Sequence, residues 1–137
     1  MDKLMIDTNI IIDLLAKREN FYKEAQELFT LANEKNISLS ISSLTFANTY
    51  YILSKYLDND EVRKTLVKFK VLVEVLPLED KTIELALVSD FEDFEDAIQY
   101  CTALDNDLDI IITRNKKDFK TSKLPVFTAK EYLNQLS

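Results

Sequence analysis

Short runs of strand character recur along this chain, and most are followed by a segment with helical periodicity. That alternation constrains the fold more than any other feature. Residues 3–7, KLMID, read as a short buried strand, and 37–42 alternate apolar and polar side chains as a half-buried strand does. Residues 71–75 are β-branched and close at Pro77, 109–113 hold three consecutive isoleucines, and Val126-Phe127 is a last short run. Between them the pattern predicts helices over 9–16, 21–35, 44–57, 60–69, 79–89, 94–105 and 129–136. Phe21, Ala25, Leu28, Phe29 and Ala32 form one apolar face of the second helix; Ile83, Ala86 and Leu87 form the inward face of the fifth. Ser42-Ser43 and Asp58-Asn59 supply caps. Strands alternating with helices fold as a mainly parallel sheet, here of four or five strands, with helices on both faces. At 137 residues one domain is expected.

Composition then removes whole classes of chemistry. The absence of glycine excludes the phosphate-cradling loops of nucleotide-binding proteins. The absence of histidine excludes a Ser-His-Asp triad and histidine-bound zinc. A metal held by this chain must be a hard cation on oxygen ligands, and a general base must be a carboxylate, a lysine or an ion-activated water. The one cysteine, Cys101, forms no internal disulfide and reads as an inert buried thiol, in keeping with a reducing, cytoplasmic setting. A net charge of -7 argues against broad affinity for polyanions, although a local basic patch can still guide phosphates. No apolar run is long enough to span a bilayer, and no basic-then-apolar leader is visible, so no membrane association is expected.

The stretch LMIDTNIIIDLL sets Asp7 and Asn9 at the seam between two apolar segments. A carboxylate buried there is costly unless something positive compensates it. In a parallel α/β sheet, ligands sit beyond the carboxyl ends of the strands, so the seam is the rim of a site. Three segments can meet at it: MIDTN, with Asp7 and Asn9; DFEDAIQYCTAL, with Asp96 in a first helical turn; and ITRNKKDF, with Asn115 and Asp118 after a buried strand. An acid in a first turn is favoured by the helix dipole and is unremarkable alone. The three together are more specific.

In this order and on these elements, the segments resemble the PIN-domain family of metal-dependent ribonucleases, many of which are toxins of VapC type. The resemblance spans essentially the whole chain, and IDTNIIIDLL and FEDAIQYCTALDNDLDIIITRNKKDF are its most specific pieces. It implies a three-layer α/β/α fold with an acidic pocket for Mg²⁺ or Mn²⁺. Asp7 matches the first-strand acid, Asn9 the amide after it, and Asp96 the acid opening the later helix. Two positions depart from the pattern: Asn48 stands where glutamate is common, and Asn115 where aspartate is common, with Asp118 three residues on. Four carboxylates suit two ions. With Asp7, Asp96 and Asp118 as the acids, one weakly held ion is expected, unless Asp93, at i−3 from Asp96 and on its face if helical, restores the missing charge.

The implied chemistry is RNA phosphodiester hydrolysis by a water acidified by the ion. Asp7 and Asp96 would be direct ligands, Asp118 a ligand directly or through water, and Asn9, Asn48 and Asn115 would position groups around it. Residues 114–123, RNKKDFKTSK, carry Arg114, Lys116, Lys117, Lys120 and Lys123, cations suited to phosphates at the rim; Lys17 and Arg18 are a weaker pair. Phe46, Tyr50 and Tyr51 offer base stacking, but aromatics at helical spacing more often pack in a core or interface. The resemblance also implies an antitoxin protein and a homodimer. A second reading is a degenerate PIN domain that binds RNA or a partner without cutting, favoured by Asn48 and Asn115. A third, a phosphoryl-accepting α/β domain, wants another acid near Asp7 and finds Thr8 and Asn9.

Overall fold

The computed structural model describes residues 1–136. The elements follow as β1 (Lys3–Ile6), α1 (Thr8–Leu15), α2 (Tyr22–Asn33), β2 (Ser38–Ser42), α3 (Ser43–Leu53), α4 (Asn59–Lys70) and β3 (Glu74–Leu76). Then come α5 (Asp80–Leu87), α6 (Phe94–Asp105), β4 (Ile110–Ile112), a 3-10 turn (Lys116–Phe119), β5 (Val126–Phe127) and α7 (Ala129–Leu136). The strands pair in the order β3-β2-β1-β4-β5, all parallel, so five strands form the sheet. The order reverses between β1 and β4, which opens a crevice at their carboxyl ends.

Side-chain alternation divides the core into two layers around the sheet. Leu4, Ile6, Leu39, Ile41, Ile110 and Ile112 pack to one side, against apolar residues of α1, α2, α3, α4 and α7. Met5 and Ile111 point the other way, into a smaller cluster with Ala86 of α5, Ala97, Ile98 and Cys101 of α6, and Phe119. Phe29 and Phe69 meet in the larger layer, and Phe46, partly buried, packs its ring against Phe69. The Tyr50 hydroxyl bonds Asn59, and Tyr51 faces solvent. Cys101 is buried, and burial pushes its thiol pKa up, followed by the charge of Asp105. It is therefore a weak nucleophile.

Four local expectations need correction. Only the end of the run at 71–75 forms the strand: Val71 caps the end of α4 and is 82% exposed, Leu72 and Val73 are held by turn bonds to Phe69 and Lys70, and β3 starts at Glu74 opposite Ser40. Pairing with β2, not intrinsic propensity, sets its start. The helix expected through Leu57 stops at Leu53: the Ser54 N–H and Oγ both donate to the Tyr50 carbonyl, and the N–H groups of Lys55 and Tyr56 then make i+3 turn bonds to Ile52 and Leu53. Leu87 is 67% exposed, because α5 buries the face carrying Thr82 and Ala86 instead. Phe21 precedes α2 and lies 41% exposed under the Arg114 guanidinium, 4.0 Å from its ring centre.

Without glycine, the chain uses other residues where the backbone turns left-handed. Lys17, Asn20, Lys35 and Asp107 have φ of 51°, 77°, 63° and 55°. Lys17, Lys35 and Asp107 each lie one or two residues beyond a helix, where glycine would be the unstrained choice.

Candidate active site

Ile6 of β1 lies opposite Ile112 of β4, so the next residues, Asp7 and Thr113, emerge side by side into the crevice. The Asp7 N–H donates to the Ile112 carbonyl at 3.0 Å, fixing where its side chain starts. Asp7 is buried, and both oxygens accept hydrogen bonds: Oδ2 from Thr113 Oγ1 at 2.7 Å, and Oδ1 from Gln99 Nε2 at 3.1 Å. Both donors are fully buried and neutral, so they orient the carboxylate without cancelling its charge. Among the described residues, the Gln99 Oε1 has no hydrogen-bond partner.

Helix α6 brings the second acid. Asp93 is its cap, with extended backbone, and one carboxylate oxygen accepts from the N–H groups of Glu95 at 2.7 Å and Asp96 at 3.2 Å. Asp93 therefore does not share a helical face with Asp96; it tethers the start of the helix and stands beside it. The Asp96 carboxyl pKa is pushed up to about 7, first by burial, then by the charges of Asp7, Asp93, Asp118 and Glu95. Five acids from three segments thus occupy one neighbourhood, and Asp96 is the one they destabilise as an anion.

A cavity of about 580 Å³ opens there, with Asp90, Asp93, Asp96 and Asp118 on its wall together with Lys117 and Lys120. The donor set is entirely oxygen, as a hard cation requires. Among the described residues, no three acidic or thiol side chains converge closely enough to enclose an ion by themselves. The arrangement fits an ion that takes one or two carboxylates and keeps several waters, the usual habit of Mg²⁺.

Asp7, 6% exposed, is not part of this wall, and the remaining candidates are placed differently. Asn9 and Asn48 are half-buried on α1 and α3 and do not line this cavity. Asn115 lines a neighbouring one, its N–H bonded to Thr113 Oγ1 at 3.1 Å. Arg114 Nε lies 2.9 Å from Asp13 Oδ2, and Lys116 Nζ is 3.1 Å from Glu131, so both already have anionic partners. Lys117 and Lys120 have no ion pair among the described residues.

Several contributors escaped the sequence reading. Gln99 and Thr113 hold Asp7; Glu95 accepts from Thr8 Oγ1 at 3.0 Å; and Asp13, 1% exposed, pairs with Arg114 and, at 3.8 Å, with Arg18. Burial raises the Asp13 pKa, and Arg114 and Arg18 oppose that rise. A usable signal existed for Gln99, an amide one turn after Asp96 inside an otherwise largely apolar stretch. Nothing local joins Asp13 to Arg114.

Fold and site define an α/β protein with an oxygen-donor acidic cleft at the switch point of a parallel sheet. Residues 3–117 match the model of the PIN domain, and the chain belongs to that family. It is similar to Ribonuclease VapC1 of Aquifex aeolicus, at 25% identity over 136 residues, covering 96% of this chain and 93% of the relative. A toxin-antitoxin complex from Klebsiella pneumoniae has a similar fold, with TM-score 0.67 and 26% identity over 92% of this chain and 97% of that one. VapBC2 from Rickettsia felis, bound to a DNA fragment from its promoter, gives TM-score 0.66 and 23% identity over 90% and 96%.

Proposed function

We propose that the protein is a divalent-metal-dependent ribonuclease, the toxin of a toxin–antitoxin pair, acting in the cytoplasm. The observation that carries this reading is the grouping of Asp7, Asp96 and Asp118, three acids from distant segments, at the carboxyl edge of β1 and β4. The ribonuclease name of the Aquifex relative and the toxin–antitoxin complexes of similar fold support it.

When bound, Mg²⁺ or Mn²⁺ supplies an acidified water and offsets charge on the phosphate. Asp7 and Asp96 would be its direct ligands, with Asp118 reaching it directly or through water and Asp93 adding negative field. Thr113 and Gln99 fix the Asp7 oxygens. Asp96, with its pKa raised to about 7, is only partly ionised near neutral pH, and a bound cation would favour its anion. Lys117 and Lys120, lacking ion-pair partners and on the cavity wall, position the RNA phosphates. Asn9, Asn48 and Asn115 contribute neutral positioning at most. An antitoxin covering the cleft and a homodimer complete the proposal.

The amides at 48 and 115, and the lack of a tight three-acid cup, favour a second reading, an RNA- or protein-binding PIN domain without catalysis. Incubating purified protein with structured and unstructured RNAs in Mn²⁺, Mg²⁺ or EDTA, beside Asp7→Asn and Asp96→Asn, separates the two. Metal-dependent cleavage lost in both variants is expected. Equal residual activity in wild type and variants marks contamination and ends the enzymatic reading.

A further inference from the structure

Beside the acidic cleft lies a second cavity, of about 370 Å³, whose wall includes Asp13, Phe21, Glu24, Arg114, Asn115 and Lys130. The two cavities flank one segment. Asn115 faces this one, while Lys117 and Asp118, two and three residues on, face the acidic one. Two acids and two cations line the second cavity, so their charges cancel on paper, and it selects neither a bare phosphate nor a bare cation. What it offers is a stacking plane: the Arg114 guanidinium lies over the partly exposed Phe21 ring.

We propose that this cavity is a nucleobase subsite, seating one unpaired base of the RNA whose phosphate is held at the acidic cleft. It rests on the ribonuclease reading above and specifies its substrate as single-stranded at that position. Proteins read single-stranded RNA by splaying a base onto aromatic or guanidinium planes and bonding its polar edge. Phe21 and Arg114 provide the planes. Glu24 and Asn115, on the same wall, provide polar groups for its edge.

The test uses fluorescence anisotropy in EDTA with a labelled single-stranded RNA and a set of the same RNA carrying one abasic residue at each position. Cleavage of the unmodified RNA in Mn²⁺ is followed in parallel. One abasic position should weaken binding roughly 5- to 50-fold. Phe21→Ala should weaken the intact RNA to a similar degree, with no further loss on that abasic RNA, and Phe21→Tyr should restore binding. Uniform tolerance of abasic residues, or an equal effect of Phe21→Ala on every RNA, overturns the subsite while wild-type cleavage leaves the ribonuclease standing. A wild type that neither binds nor cuts RNA overturns both.

Discussion

Thr113 Oγ1 donates to Asp7 Oδ2 at 2.7 Å, joining residues 106 positions apart that follow directly on β4 and β1. The bond exists because parallel pairing sets Ile6 against Ile112. Thr113→Val keeps the shape and removes the donor; Gln99→Leu does the same for the other oxygen. Each should lower Mn²⁺ affinity or cleavage rate about 10- to 100-fold, the usual cost of losing a group that orients a metal ligand. Calorimetric titration with Mn²⁺ and initial cleavage rates measure it, and unchanged values would show that Asp7 needs no such support.

Asp96 links the site to pH. Its carboxyl titrates near 7 in the folded protein against 3.8 as a free group, so between those values the native state keeps a proton that the unfolded chain has lost. Stability in EDTA should be greatest on the acid side of this window and fall as pH rises through about 7. Asp96→Asn should raise the metal-free melting temperature at pH 8 by a few degrees, on the order of 1 kcal/mol once solvent screening is discounted. The same substitution should abolish cleavage. Mn²⁺ affinity of the wild type should weaken as pH drops below 7, where protons compete for the ligand.

The Asp13–Arg114 pair ties α1 to the segment that carries Asp118. Arg114→Met leaves a buried carboxylate facing only Arg18, at 3.8 Å, and should cost about 3 kcal/mol. The double variant Asp13→Leu with Arg114→Met should recover part of that loss, since it removes the charge left alone. Urea denaturation of the two proteins gives the comparison; a double variant as unstable as the single would place the loss in packing rather than charge.

Lys35 is exposed, beyond α2, with a left-handed backbone that favours glycine. Lys35→Gly should stabilise the protein by roughly 0.5–1 kcal/mol, the relief of steric strain being partly offset by greater freedom of the unfolded chain. Urea midpoints at constant slope report it, and RNA cleavage should be unaffected.

Much of this was legible residue by residue. The III run of β4 and the KLMI run of β1 read as buried strands, and α6, β5 and α7 fall where periodicity sets them. Asp7 stood out because it interrupts an apolar pattern at an element boundary, whereas Asp96, unremarkable alone, was singled out by the resemblance to the PIN-domain family. The misplacement of β3 and the exposure of Leu87 have a common cause: propensity describes a residue's local preference, while pairing with β2 and packing on α6 decide the register and the buried face. Asp93 fell just before the expected helix, and sequence spacing alone could not say whether it would share the face of Asp96 or cap the helix, as it does.

By itself the sequence determined the order of strands and helices and the chemistry open to them. Lacking histidine and glycine, it left oxygen ligands as the means of holding a hard ion and no loop to wrap a nucleotide. The tertiary structure alone decided which charges meet. It set Thr113 and Gln99 on Asp7, paired Arg114 with Asp13 and Lys116 with Glu131, and left Lys117 and Lys120 on the cleft. Electrostatic and hydrogen-bond partners are fixed by distances in space, and those follow from sheet register rather than from the spacing of residues along the chain.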